Sequence, residues 1–147
     1  MKRFLLLAAL AATPLPGHAQ APQPGKVAVT AAWARASAGQ AGTAAAFATI
    51  TATQTDQFTG ASTPLAGMAM VHQTVRRNGV MEMHEAGPVA LTPGQPFVLA
   101  PGGYHIMLMG LAHPLRQGES FPLTFTFAHA APVTVQVTVA AAGAMHP

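Results

Sequence analysis

From residue 26 onward, short apolar runs alternate with Thr, Gln and Ser, and Gly, Pro and Asn interrupt them at close intervals. Alternation with period two is the mark of half-buried strands, whose successive side chains face opposite ways. Residues 26–33 alternate through Val27 and Val29 and end in Ala32-Trp33; residues 43–51 centre on Phe47 and Ile50. The alanines of the second run favour helix on propensity, but its Thr-rich flanks and short length favour strand. Residues 54–67 carry Asp56, Gly60, Pro64 and Gly67 and read as loop, as do 88–94 and 110–118. Residues 68–76, 79–85, 95–99, 104–109, 121–127 and 133–139 complete the strands. Seven or eight short strands and no helix predict an all-β chain, and a two-sheet antiparallel β-sandwich buries them.

One pair of strands can be placed in register. Asn78-Gly79 is the dipeptide that a two-residue type I′ turn demands, because both positions need positive φ. Arg77 then opposes Val80, Thr74 opposes Met83, and His72 opposes Glu85, so these last four share one face. His72 and Met83 become diagonal neighbours, about 7–8 Å apart at the backbone. In residues 104–109, His105, Met107 and Met109 point one way, and Tyr104, Ile106 and Leu108 point the other, toward the core.

Two imidazoles and two thioethers, from His72, Met83, His105 and Met107, make a neutral, soft, thiol-free set. Such a set suits Cu(I), which prefers polarizable sulfur and accepts imidazole, whereas Zn²⁺ favours thiolate, carboxylate or more imidazole. Each methionine taken alone is an ordinary core filler. Two His–Met pairs on strand faces weaken that explanation, but spacing alone leaves copper binding and simple packing both open. For Met68, Met70, Met81 and Met109, core packing is the expected role and a soft rim the alternative. His84 should face away from Met83 and be exposed. His113 and His129 have no evident partner, and Met145-His146 reads as a frayed tail.

Composition narrows the classes. The 147 residues suffice for one domain with a real core. Residues 1–21 read as a secretory signal: Lys2 and Arg3, an apolar stretch from Phe4 to Ala12, then small residues allowing cleavage after Ala19 or Ala21. That stretch is too short to span a bilayer. The remaining 22–147 form the expected single domain, an exported one. Its five basic and four acidic residues leave a net charge of about +1, and no basic patch with interleaved aromatics marks a nucleic-acid partner. There is no cysteine, which rules out a Cys-ligated blue-copper centre and spares the site from disulfide formation. No nucleophile elbow, phosphate loop or HExxH motif is present, so no enzyme is expected.

The spacing also carries a resemblance. Ten residues separate His72 from Met83, twenty-one separate Met83 from His105, and Ile106-Met107 follow. With AWARAS around Trp33, GVMEMH from Gly79 and LAPGGYHIMLMGL from Leu99, the chain from about Val27 to Val139 resembles the PCuAC-type periplasmic copper chaperones. The resemblance implies a cupredoxin-like β-sandwich that binds one Cu(I) per chain through His72, Met83, His105 and Met107 at an exposed edge. It also implies delivery toward the CuA centre of cytochrome c oxidase, with a Sco-type thioredoxin-like protein and the CuA-bearing oxidase subunit as partners. A monomer is expected. His84 stands where many relatives have Arg, and Val71 departs from the residue usual before the first His; neither is a ligand. The His/Met-rich extension of some relatives is reduced here to Ala144-Met145-His146-Pro147. Copper storage, detoxification or uptake is the alternative use of such a site, and a metal-free exported interaction module the alternative to the site itself.

Overall fold

The computed structural model describes residues 25–147; the expected signal segment and its cleavage point lie outside the described residues. Ten strands account for the fold: β1 (Val27–Arg35), β2 (Thr43–Ala52), β3 (Asp56–Ser62), β4 (Ala66–Arg77), β5 (Val80–Glu85), β6 (Val89–Leu91), β7 (Phe97–Leu99), β8 (Tyr104–Leu111), β9 (Ser120–Phe127) and β10 (Val133–Ala140). They are hydrogen-bonded in the order β5-β4-β8-β2-β1-β10-β9-β3-β6, with β7 pairing β2 beside β8. The path folds over into a cupredoxin-like β-sandwich. Ile50, Val71, Ile106 and Leu108 from the β4-β8-β2 side meet Phe58, Leu91, Phe121, Leu123, Phe125 and Val137 from the other in a single buried cluster.

Two expectations are corrected. The strands number ten, because β3 and β6 occupy stretches expected to be loop. β3 has a single large apolar residue, Phe58, and a register break between Phe58 and Gly60, which hides its alternation. β6 spans only three residues between Pro88 and Pro93, too few to show a period. The sandwich is also not wholly antiparallel, since the first and last strands run parallel, with Trp33 opposite Thr138.

The anchor of β3 is a carboxylate. Asp56 is 4% exposed, and its oxygens accept the backbone N–H groups of Gln57 (2.7 Å), His129 (3.0 Å) and Ala130 (2.8 Å). Burial alone would raise its pKa, but these donors outweigh it and hold the carboxyl below its ordinary value. The turn before β10 is thereby fastened to the start of β3.

Candidate metal centre

The β4–β5 hairpin has the register that its turn dictates. Asn78 and Gly79 take φ of 49° and 80°, Arg77 faces Val80, Thr74 faces Met83 and His72 faces Glu85. β5 pairs only with β4, so Met83 sits on a sheet edge and is 58% exposed. On the other side of β4, His72 lies directly opposite His105 and Met70 opposite Met107. All four sequence-selected side chains thus come from the outer face of β5, β4 and β8. Met83, His105 and Met107 line one cleft of about 210 Å³, together with Arg35, Ala45, Phe47, Thr74, Pro101 and Gly102. His72 does not line that cleft; its ring stands edge-on beside that of His105, centroids 5.8 Å apart.

The two histidines are prepared differently. In the 100–103 turn, Gly103 N–H donates to the Ala100 carbonyl at 3.0 Å, with Pro101 and Gly102 central and Gly102 at φ 83°. Proline followed by a positive-φ glycine is the pattern of a type II turn. The turn presents the Gly103 carbonyl, which accepts Thr74 N–H at 3.0 Å and His105 Nδ1–H at 3.2 Å. With its proton held at Nδ1, His105 keeps an unprotonated Nε2 lone pair, as a neutral imidazole ligand requires. The ring is buried, and this burial chiefly lowers its pKa; nearby His72 and Arg35 lower it further, against the opposing effect of the Gly103 hydrogen bond. His72 Nδ1 is buried and has no hydrogen-bond partner among the described residues. Buried polar atoms are rarely left so, and a coordinated cation is one arrangement that satisfies such a nitrogen.

A floor that sequence reading missed lies beneath these rings. Phe47 is 2% exposed, stacks on Trp33 at 4.5 Å and lies 6.5 Å from His105. Trp33 and Phe47 are buried but stand apart from the main core cluster. The cause is in β1. Ala31 has φ 51°, and pairing with β2 shifts by one residue between Thr30 and Trp33. A one-residue shift inverts the faces. Val27 and Val29 therefore pack against the core, whereas Trp33 and Arg35 fall on the site face. The guanidinium of Arg35 lies 5.7 Å from the Phe47 ring centre and ties down the C-terminal tail, donating to Ala144 O and Met145 Sδ. Unbroken alternation from Val27 would have sent Trp33 inward, and no residue type in the stretch announces the bulge.

The expected core packing of Met68 and Met81 is not what the structure has: they are 53% and 55% exposed. Both lie at positions facing away from the core, and Met70 and Met109 are half-buried on the same outer face. His84 is exposed as expected and pairs with Glu82 at 3.1 Å. Among the described residues, no three His, Cys, Asp or Glu side chains gather at one point; beside the two facing imidazoles, the outer face offers thioethers.

The LpqE-like lipoprotein family matches residues 27–139, which cover the whole sandwich from β1 into β10. The chain belongs to this family. Its structural relatives include PCuAC domains. The apo PCuAC domain of PmoF1 is 26% identical, with a TM-score of 0.66 over 82% of this chain and 98% of its own. Apo-DR1885 from Deinococcus radiodurans is 27% identical, with a TM-score of 0.59 over 96% and 97%. Its Cu(I) form is 29% identical, with a TM-score of 0.60 over 83% and 81%. No curated protein matches the chain. The PCuAC resemblance read from the motif spacing is therefore borne out in family and fold.

Proposed function

We propose that this protein is a periplasmic copper chaperone that binds one Cu(I) through His72, Met83, His105 and Met107 and releases it by ligand exchange. The observation that carries the proposal is the pair of facing histidines: a buried His72 Nδ1 with no partner, and a His105 whose tautomer is set by Gly103 so that Nε2 stays available. Two thioethers on the same face complete a soft, neutral set fitted to Cu(I) and poor for Zn²⁺. Copper is the cargo here, and relatives of the same fold include the Cu(I) form of DR1885. Residues 1–21 act as the export signal in this reading, and 22–147 as a monomeric domain with a binding role, not a catalytic one.

Exposure gives the exchange an order. Met83 is exposed on an edge strand, while His105 is buried at 5%. An incoming ligand reaches the metal from the Met83 side and displaces that thioether first, and His105 lets go last. Delivery toward the CuA centre of cytochrome c oxidase, alongside a Sco-type protein, is the destination we infer for the cargo. X-ray absorption of the Cu(I)-loaded protein tests the ligand set: two nitrogen and two sulfur neighbours are expected, and a sulfur-free shell would overturn it. Incubation of loaded protein with an apo Sco-type protein and with an apo CuA-bearing fragment then tests destination. Transfer to either supports the chaperone reading, and retention against both favours storage.

A further inference from the structure

The primary site leaves three methionines of β4 and β8 on the same face unexplained. β4 and β8 pair without a register break, with Met68 opposite Met109, Met70 opposite Met107 and His72 opposite His105. Side chains alternate, so Val71, Ile106 and Leu108 enter the core, and the six intervening residues form two columns of three on the outer face. Rungs of such a ladder place paired Cβ atoms about 4.5–5.5 Å apart, and successive rungs stand about 7 Å apart. A methionine side chain is unbranched and flexible, so the sulfurs of two adjacent rungs can converge on one ion.

Packing does not account for this arrangement. Met68 is 53% exposed. The neighbouring strand offers only Thr43 opposite Met109 and Ala45 opposite Met107, short side chains that cannot cover the thioethers. On the opposite flank β5 ends at Glu85, level with His72, so no strand runs beside Met68 and Met70. Met68 is therefore left open to solvent, with the half-buried Met70 and Met109 beside it on the outer face next to Met107.

We propose that Met68, Met70 and Met109 form a second, weaker site for Cu(I), adjoining the first across the Met70–Met107 rung. The idea goes beyond the chaperone reading, and the two sites share no ligand; they meet where Met70 pairs with Met107. Three neutral thioethers hold a soft monovalent ion without a buried imidazole. Their site fills after the primary one and exchanges faster. An ion arriving there needs only to move one rung, gaining Met107 and then His105 as it releases Met68 and Met109. No electron is transferred and the copper stays monovalent.

Ag(I), a redox-inert analogue of Cu(I), is the probe, titrated into protein labelled with [methyl-¹³C]methionine and followed by NMR. In the wild type the first equivalent should shift the Met83 and Met107 methyls, and the second those of Met68, Met70 and Met109. The triple variant Met68→Leu/Met70→Leu/Met109→Leu, nearly volume-conserving, should keep the first equivalent and bind the second at least tenfold more weakly. A His105→Ala variant should lose the first equivalent and keep the ladder signals, which separates failure of the primary site from failure of this one. Wild-type saturation at one equivalent would overturn the proposal. So would a second equivalent that shifts Met81 or Met145 instead, or that survives in the triple variant. Should the triple variant not fold, the wild-type methyl assignments at the second equivalent decide by themselves.

Discussion

Phe47→Leu tests whether the aromatic floor positions the proposed copper ligands. Phe47 is buried at 2%, with one ring contact to Trp33 at 4.5 Å and another to His105 at 6.5 Å. Each such aromatic pair contributes about 0.5–1.5 kcal/mol beyond its buried area, and leucine leaves part of the ring volume empty, at further cost. The expected loss is about 2 kcal/mol, or about 8 °C in Tm for a domain of this size. Urea and thermal unfolding of the metal-free protein read it. Because the ring also supports His105, Cu(I) affinity should fall about three- to tenfold, which corresponds to about 0.7–1.4 kcal/mol. Phe121→Leu supplies the comparison, since Phe121 is equally buried in the main core and away from the site. It should cost similar stability and leave affinity unchanged. Equal affinity in wild type and Phe47→Leu, or equal loss in both variants, would refute the reasoning.

Further outcomes follow from the same geometry. Asp56→Ala strands three backbone N–H groups and should destabilise the fold by about 3 kcal/mol in urea unfolding. Because the folded carboxyl titrates below its ordinary value, its contribution is complete above about pH 4 and disappears as pH falls through the folded pKa; a wild-type and variant difference independent of pH down to 2 would contradict this. His105 also titrates below its ordinary value, so its neutral form is favoured on folding. Metal-free stability should be complete above about pH 6.5 and decline as pH drops toward the folded pKa, because the unfolded chain then binds more protons. Cu(I) affinity should likewise be level near pH 7.5 and fall at acid pH as protons compete with the metal for His105 Nε2; a profile flat down through the folded pKa of His105 would sink its assignment as a ligand. Dilute peroxide should convert the exposed Met83 to its sulfoxide in metal-free protein and spare it when redox-inert Ag(I) stands in for Cu(I), as peptide mass spectrometry would show.

How much of this was legible in the sequence depended on how local the determinant was. The hairpin register is fixed by Asn78-Gly79 alone, and His105-x-Met107 shares a face by strand periodicity. The face carrying the four proposed ligands could therefore be read directly. Core residues such as Ile106 and Leu108 followed from the same alternation. What stayed hidden was non-local. The bulge at Ala31 inverts the faces of β1 and so brings Trp33 and Arg35 to the site. The Gly103 carbonyl that orients His105 is itself bonded by Thr74 N–H from β4, a contact that no local pattern shows. Strand β3 escaped because Asp56 and Gly60 look like loop residues until the turn at His129 and Ala130 closes on the carboxylate. The exposure of Met68 and Met81 was missed for a different reason: methionine chemistry suits core and metal alike, and only the placement of the face decides.

The most direct test of the copper assignment is an anaerobic Cu(I) titration of residues 22–147 against a chromophoric chelator, with Met83→Ala and His105→Ala beside it. One tight equivalent in the wild type, weakened in Met83→Ala and abolished in His105→Ala, is the predicted result. No tight equivalent, or one indifferent to both substitutions, would contradict the account and return these side chains to a purely structural role.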